Sequence, residues 1–145
     1  QMCIRDRVMI APAGSKLAFS GTVPGRLAVG ELHSVPAGMY AQQALEHMGW
    51  LEPLRSSLVK GSNVRTVLMY VERGEVAAGI VYASDAQASD KVRIIGTFPA
   101  ESHDPIVYPA AACSDTPAAR TFLAYLKTDE AKAILKKHGF TRPEN

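Results

Sequence analysis

Apolar residues in this chain fall into short blocks separated by glycine, proline and small polar residues. Val8-Met9-Ile10-Ala11 is an unbroken apolar run ended by Pro12, which predicts a short buried strand. Residues 14–25 then read as a loop, and Arg26-Leu27-Ala28-Val29-Gly30 as a second strand. Beyond it, Ser34 or Val35 occupies a cap region and Pro36 a first helical position, where a missing N–H costs nothing. Ala41, Ala44, Leu45 and Met48 recur at helical spacing until Gly49 closes the helix. A second helix follows the same grammar: Ser62 or Asn63 caps it, and Val64, Val67, Leu68 and Val71 form its stripe up to Gly74.

Ala77 to Tyr82 is continuously apolar and of strand length, as expected for a strand covered on both faces. Ser84 and Asp85 suit the cap of a short helical turn. Residues 92–98 and 106–112 predict two more strands, Thr116-Pro117 opens a helix through Leu126, and Thr128 opens a last one closed by Gly139. Strands alternating with helices through short connections imply a three-layer α/β arrangement around a largely parallel sheet.

Composition narrows the classes. An apolar fraction of 47% supports a buried core. A net charge of +2 with interspersed signs is no nucleic-acid footprint. The basic run Lys136-Lys137-His138 sits where a helix end favours cations. No apolar run reaches the length of about 18 residues that a spanning helix needs. Arg5-Asp6-Arg7 and the apolar stretch after it are too short for a secretory signal, so either the chain is cytoplasmic or its true start lies upstream. Cys3 and Cys113 have no metal spacing; a disulfide between them stays open, with a free buried thiol the expectation for Cys113.

Candidate chemistry concentrates at two helix starts and one strand end. In an open α/β sheet, ligands bind at the carboxyl ends of strands, where helix N-termini gather. Pro36-Ala37-Gly38 presents backbone N–H groups beside side chains small enough for an ion to reach them, and Asn63-Val64-Arg65 offers a second set. Tyr82, at the end of its strand, adds a phenolic donor. Donors at helix N-termini favour an anion. Catalysis finds less support: His33 and His103 fall in loops, His47 and His138 near helix ends, and no GxSxG, HExxH or Walker spacing occurs. Glu72, Glu75 and Asp90 read as solvated charges.

The block Arg26-Leu27-Ala28-Val29-Gly30 followed by Val35-Pro36-Ala37-Gly38-Met39-Tyr40-Ala41 resembles the signature of periplasmic molybdate-binding proteins. Asn63-Val64-Arg65, Val71-Glu72-Arg73-Gly74 and Gly79-Ile80-Val81-Tyr82-Ala83-Ser84-Asp85-Ala86 continue it in order. Phe98-Pro99, Tyr108-Pro109, Phe122, Tyr125-Leu126 and Gly139-Phe140 extend it, so that it covers about Val8 to Arg142.

That resemblance implies a lobe of the type II periplasmic-binding-protein kind, with a mixed, largely parallel sheet and part of a second lobe. It places residues 8–107 in the second lobe and residues 108–145 in a segment returning to a mostly missing first lobe. Residues 1–7 read as a non-matching leader, a sequencing or gene-calling artefact being one explanation. The implied ligand is molybdate or tungstate, held by the backbone N–H groups of Ala37 and Val64 and by the Tyr82 hydroxyl. Two serine-bearing loops of the first lobe complete the family's site, and none precedes Val8 here. Molybdenum enters only inside its oxyanion, with no protein ligand to the metal and no cofactor. The implied partner is the membrane permease of an ABC importer, with no nucleic acid involved. The full-length protein is expected to be monomeric and periplasmic or extracellular. Two other readings stay open: the effector-sensing domain of a transcription regulator, and a receptor for sulfate or phosphate.

Overall fold

The computed structural model describes residues 3–141. The first two residues of the 1–7 leader, the Cys3 side chain and the end of the 108–145 segment lie outside the described residues. In chain order the elements begin with β1 (Cys3–Arg5), β2 (Arg7–Pro12), β3 (Leu27–Gly30) and α1 (Pro36–His47). There follow α2 (Leu51–Leu54), β4 (Leu58–Gly61), α3 (Val64–Glu72), β5 (Ala78–Tyr82) and α4 (Ala83–Gln87). The rest are β6 (Val92–Thr97), β7 (Val107–Tyr108), α5 (Pro117–Tyr125), α6 (Asp129–Lys137) and β8 (Phe140–Thr141).

Five strands form the main sheet in the order β4-β3-β5-β2-β6. β3 pairs parallel with β4 and with β5, whereas β2 pairs antiparallel with β5 and β6. β2 alone therefore runs against the other four, and the sheet is mixed but largely parallel in direction. Strand alternation sends side chains to opposite faces. Met9, Leu27, Val29 and Ile80 meet Ala41, Ala44 and Leu45 of α1 on one face. Val8, Ile10, Ala28 and Val81 meet Val67 and Val71 of α3 and Ala86 of α4 on the other. The result is the expected three-layer α/β sandwich. β3 and β5 are buried along their whole length, which is why they read as unbroken apolar runs.

The 14–25 loop is tied down by Phe19, whose ring packs edge-on against Trp50 and Phe98 with centroids 5.1 and 5.2 Å away. Arg93 reinforces it, donating from Nε and Nη2 to the carbonyls of Ser15 and Leu17, each at 2.7 Å.

Several local expectations change. β4 carries an exposed lysine among only four residues, too weak a pattern to read, and forms because β3 offers it a parallel partner. The strand expected over residues 106–112 shrinks to Val107–Tyr108, since Pro109 has no N–H to continue the ladder. The small residues behind it leave the main body, so Cys113 is an exposed free thiol and not a buried one. β7 instead joins a second, three-stranded sheet in the order β7-β1-β8, antiparallel throughout. Tyr108 and Phe140 pack across it edge to face, with centroids 6.0 Å apart. Cys3–Arg5, read from the sequence as part of a leader, is thus the centre of that sheet.

The last two helices are capped as expected: the hydroxyls of Thr116 and Thr128 accept from the N–H groups of Ala119 and Ala131, both at 3.2 Å. Their packing is thin. α5 has no buried residue and α6 has only Ala131, while Phe122 is 60% and Ile134 48% exposed. No described helix is long and apolar enough to cross a membrane.

Candidate functional site

Because β3, β4 and β5 are parallel, their carboxyl ends lie along one edge of the sheet, and α1, α3 and α4 start there. α1 begins at Pro36 with Val35 as its cap. The N–H groups of Gly38 and Met39 both return to the Val35 carbonyl, at 2.8 and 3.0 Å. Pro36 has no N–H, so Ala37 carries the donor of this first turn that points outward along the helix axis.

The turn is held against β3 by contact of main chain on main chain. A Cβ placed on Gly38 falls 2.6 Å from the Glu31 carbonyl carbon and well inside van der Waals contact distance of the Gly30 and Glu31 oxygens. Only glycine permits that approach.

α3 begins at Val64, where Asn63 caps the helix by accepting from the Thr66 N–H at 2.9 Å. The Val67 N–H returns to the Asn63 carbonyl at 3.3 Å. That leaves the first-turn donors of Val64 and Arg65, with the helix dipole behind them. Replacing Asn63 with alanine is expected to lower stability by about 1 kcal/mol, read from a denaturant midpoint, and to loosen this turn. An unchanged midpoint would show that the cap does no work here.

Tyr82 ends β5 and is 6% exposed. Ala37 and Tyr82 share a buried cluster with Ile106, and Val64 packs against its edge together with Val35, Tyr40 and Tyr108. Three positions separated by up to 45 residues in sequence, Ala37, Val64 and Tyr82, are thereby gathered at one end of the sheet. Of the four histidines, His103 lies beside Tyr40 at the edge of this cluster, its ring centroid 6.0 Å away. Among the described residues no group of three His, Cys, Asp or Glu side chains is placed to hold a metal ion.

One residue at this place had not been read from the sequence. Arg7, the first residue of β2, pairs directly with Tyr82 and is completely buried. Its Nη2 donates to the Ala37 carbonyl and lies 3.5 Å from that of Pro36. Its guanidinium carbon sits 4.2 Å from the Tyr82 ring centroid and 5.8 Å from that of Tyr40, a cation–π arrangement. Among the described residues, Nε and Nη1 are buried without a hydrogen-bond partner. Burial pushes the guanidinium pKa down to about 10, opposed by the nearby Tyr82 and Asp85. Arg7 therefore stays cationic at neutral pH. Its signal was present in strand alternation, which puts Arg7 on the same face of β2 as Met9, under α1.

Chemically, the arrangement offers N–H donors from two helix starts, one phenol and one buried cation. It suits an anion with acceptor oxygens.

The chain matches, over residues 5–141, the family model described as bacterial extracellular solute-binding protein. It is 39% identical to the molybdate-binding protein ModA of Haemophilus influenzae over 94% of this chain and 58% of that protein. Identity to the molybdate-binding protein ModA of Escherichia coli is 44%, over 81% of this chain and 46% of that one. The chain thus spans about half the length of these relatives. Among solved structures, the substrate-binding domain of a putative molybdenum ABC transporter from Clostridium difficile superposes with a TM-score of 0.90 at 31% identity. That match covers 99% of this chain and 66% of the other.

Proposed function

This chain belongs to the bacterial extracellular solute-binding protein family, and on that premise we propose that it carries half of a binding site for molybdate or tungstate. The whole protein would be a non-enzymatic receptor, monomeric and working outside the cytoplasm, that hands its oxyanion to the permease of an ABC importer. One observation carries the reading: Ala37, Val64 and Tyr82 meet at the carboxyl edge of the sheet. The names of the relatives supply the choice of anion; backbone donors by themselves do not separate molybdate from sulfate.

Within this reading residues 8–107 are the second lobe, and residues 108–145 leave it to complete the first. The thin packing of α5 and α6 supports that division, since Phe122 and Ile134 are left without the cover amphipathic helices need. A dianion leaving water must regain its hydrogen bonds, each worth about 1.5–3 kcal/mol net when one partner is charged. Neutral N–H and O–H donors in a closing cleft meet that need while still permitting release.

In a protein with both lobes, Tyr82→Phe is expected to weaken molybdate binding by about 1 kcal/mol or more, roughly fivefold, measured by isothermal calorimetry. Unchanged affinity would remove Tyr82 from the site. Competition among molybdate, tungstate, sulfate and phosphate tests the anion; a preference for sulfate or phosphate would overturn the molybdate assignment.

A further inference from the structure

We infer that Arg7 is a further determinant of the anion site, a buried positive charge behind Ala37 and Tyr82 that makes the site prefer a dianion to a monoanion of the same shape. The inference rests on the oxyanion reading above and adds to it a charge that the three neutral donors lack. Arg7 is completely buried, it bonds the carbonyl of Ala37, and it stacks on the ring of Tyr82. It therefore touches two of the three residues assigned to the ligand, through the Ala37 carbonyl and the Tyr82 ring face. Two of its nitrogens have no hydrogen-bond partner among the described residues, and Asp85 acts on it through space.

A buried cation with incomplete hydrogen bonding is unfavourable in an empty site. An anion held by Ala37, Val64 and Tyr82 would sit close enough for the two charges to attract through poorly screening surroundings. The attraction scales with ligand charge, so it favours a dianion over a monoanion, whereas hydrogen-bond geometry does not distinguish two tetrahedral oxyanions of similar size. Arg7 is thus expected to oppose folding of the free chain and to favour dianion binding.

The test titrates a protein with both lobes, the first taken from a molybdate-binding relative, with molybdate and with perrhenate, a tetrahedral monoanion, following the amide resonances of Ala37 and Val64. Arg7→Met keeps the length and removes the charge; Arg7→Lys keeps the charge. The expected result is that Arg7→Met lowers the molybdate-to-perrhenate affinity ratio about tenfold, that Arg7→Lys retains most of it, and that the unliganded Arg7→Met chain melts several degrees higher. An equal loss for both anions, or an unchanged ratio, overturns the inference and leaves the oxyanion reading standing. Failure of the unmodified two-lobed protein to bind either anion overturns both.

Discussion

Gly38→Ala is expected to destabilise the chain by about 2 kcal/mol and to weaken anion binding with it. Helix propensity alone predicts the opposite, because alanine is favoured over glycine in a helix by about 1 kcal/mol. The new methyl group meets the main chain of Gly30 and Glu31, which cannot swing aside as a flexible side chain would. Overpacking of this kind costs about 3 kcal/mol, enough to reverse the propensity gain. To make room, the first turn of α1 must lift from β3 and carry the Ala37 N–H with it. Thermal unfolding should show a melting temperature lower by about 6 °C. Gly14→Ala is the control: its Cβ meets nothing within 4 Å, and it should leave both stability and binding unchanged. A Gly38→Ala chain as stable as the parent would show that the close approach of α1 to β3 is not needed.

Joining this chain to a first lobe, taken from a molybdate-binding relative, is expected to tighten molybdate binding by at least about 100-fold. Two further donors at about 1.5–3 kcal/mol each account for a gain of that order. Closure over the ligand adds more, because it excludes water that screens the helix termini and Arg7. The same joining should cover Phe122 and Ile134, now 60% and 48% exposed, and so reduce binding of an apolar dye to the C-terminal helices. Calorimetry on the two chains side by side decides the matter. Equal affinities would mean that the 145 residues already hold the whole site, and that the division into lobes is wrong.

Most of the main sheet was legible because its strands and helices carry their own signals. The runs at Val8–Ala11 and Ala77–Tyr82 are apolar without interruption, and the structure buries β5 on both faces. Pro36 and Asn63 announced their helices, and Gly49 and Gly74 ended theirs with φ of +69° and +67°. β4 escaped notice because an edge strand of four residues needs only one partner and little apolar area. Residues 109–113 misled because small residues score as apolar while burying little surface, so nothing holds Cys113 inside.

The candidate site divides in the same way. Ala37, Val64 and Tyr82 could be singled out in the sequence because donor geometry at a helix start or strand end is a local property, set by a cap, a proline or the end of an apolar run. Their convergence depends on strand order: β3 lies between β4 and β5, and parallel pairing brings three carboxyl ends to one edge. Arg7 depended far more on tertiary structure. Strand alternation puts it on the same face of β2 as Met9, but only the antiparallel pairing of β2 with β5 places it opposite Tyr82 and beneath α1. The sequence by itself determined which elements form and which backbone groups are left to donate. The tertiary structure decided which of them share a site, and that a cation stands among them, because strand pairing and burial act between residues far apart along the chain.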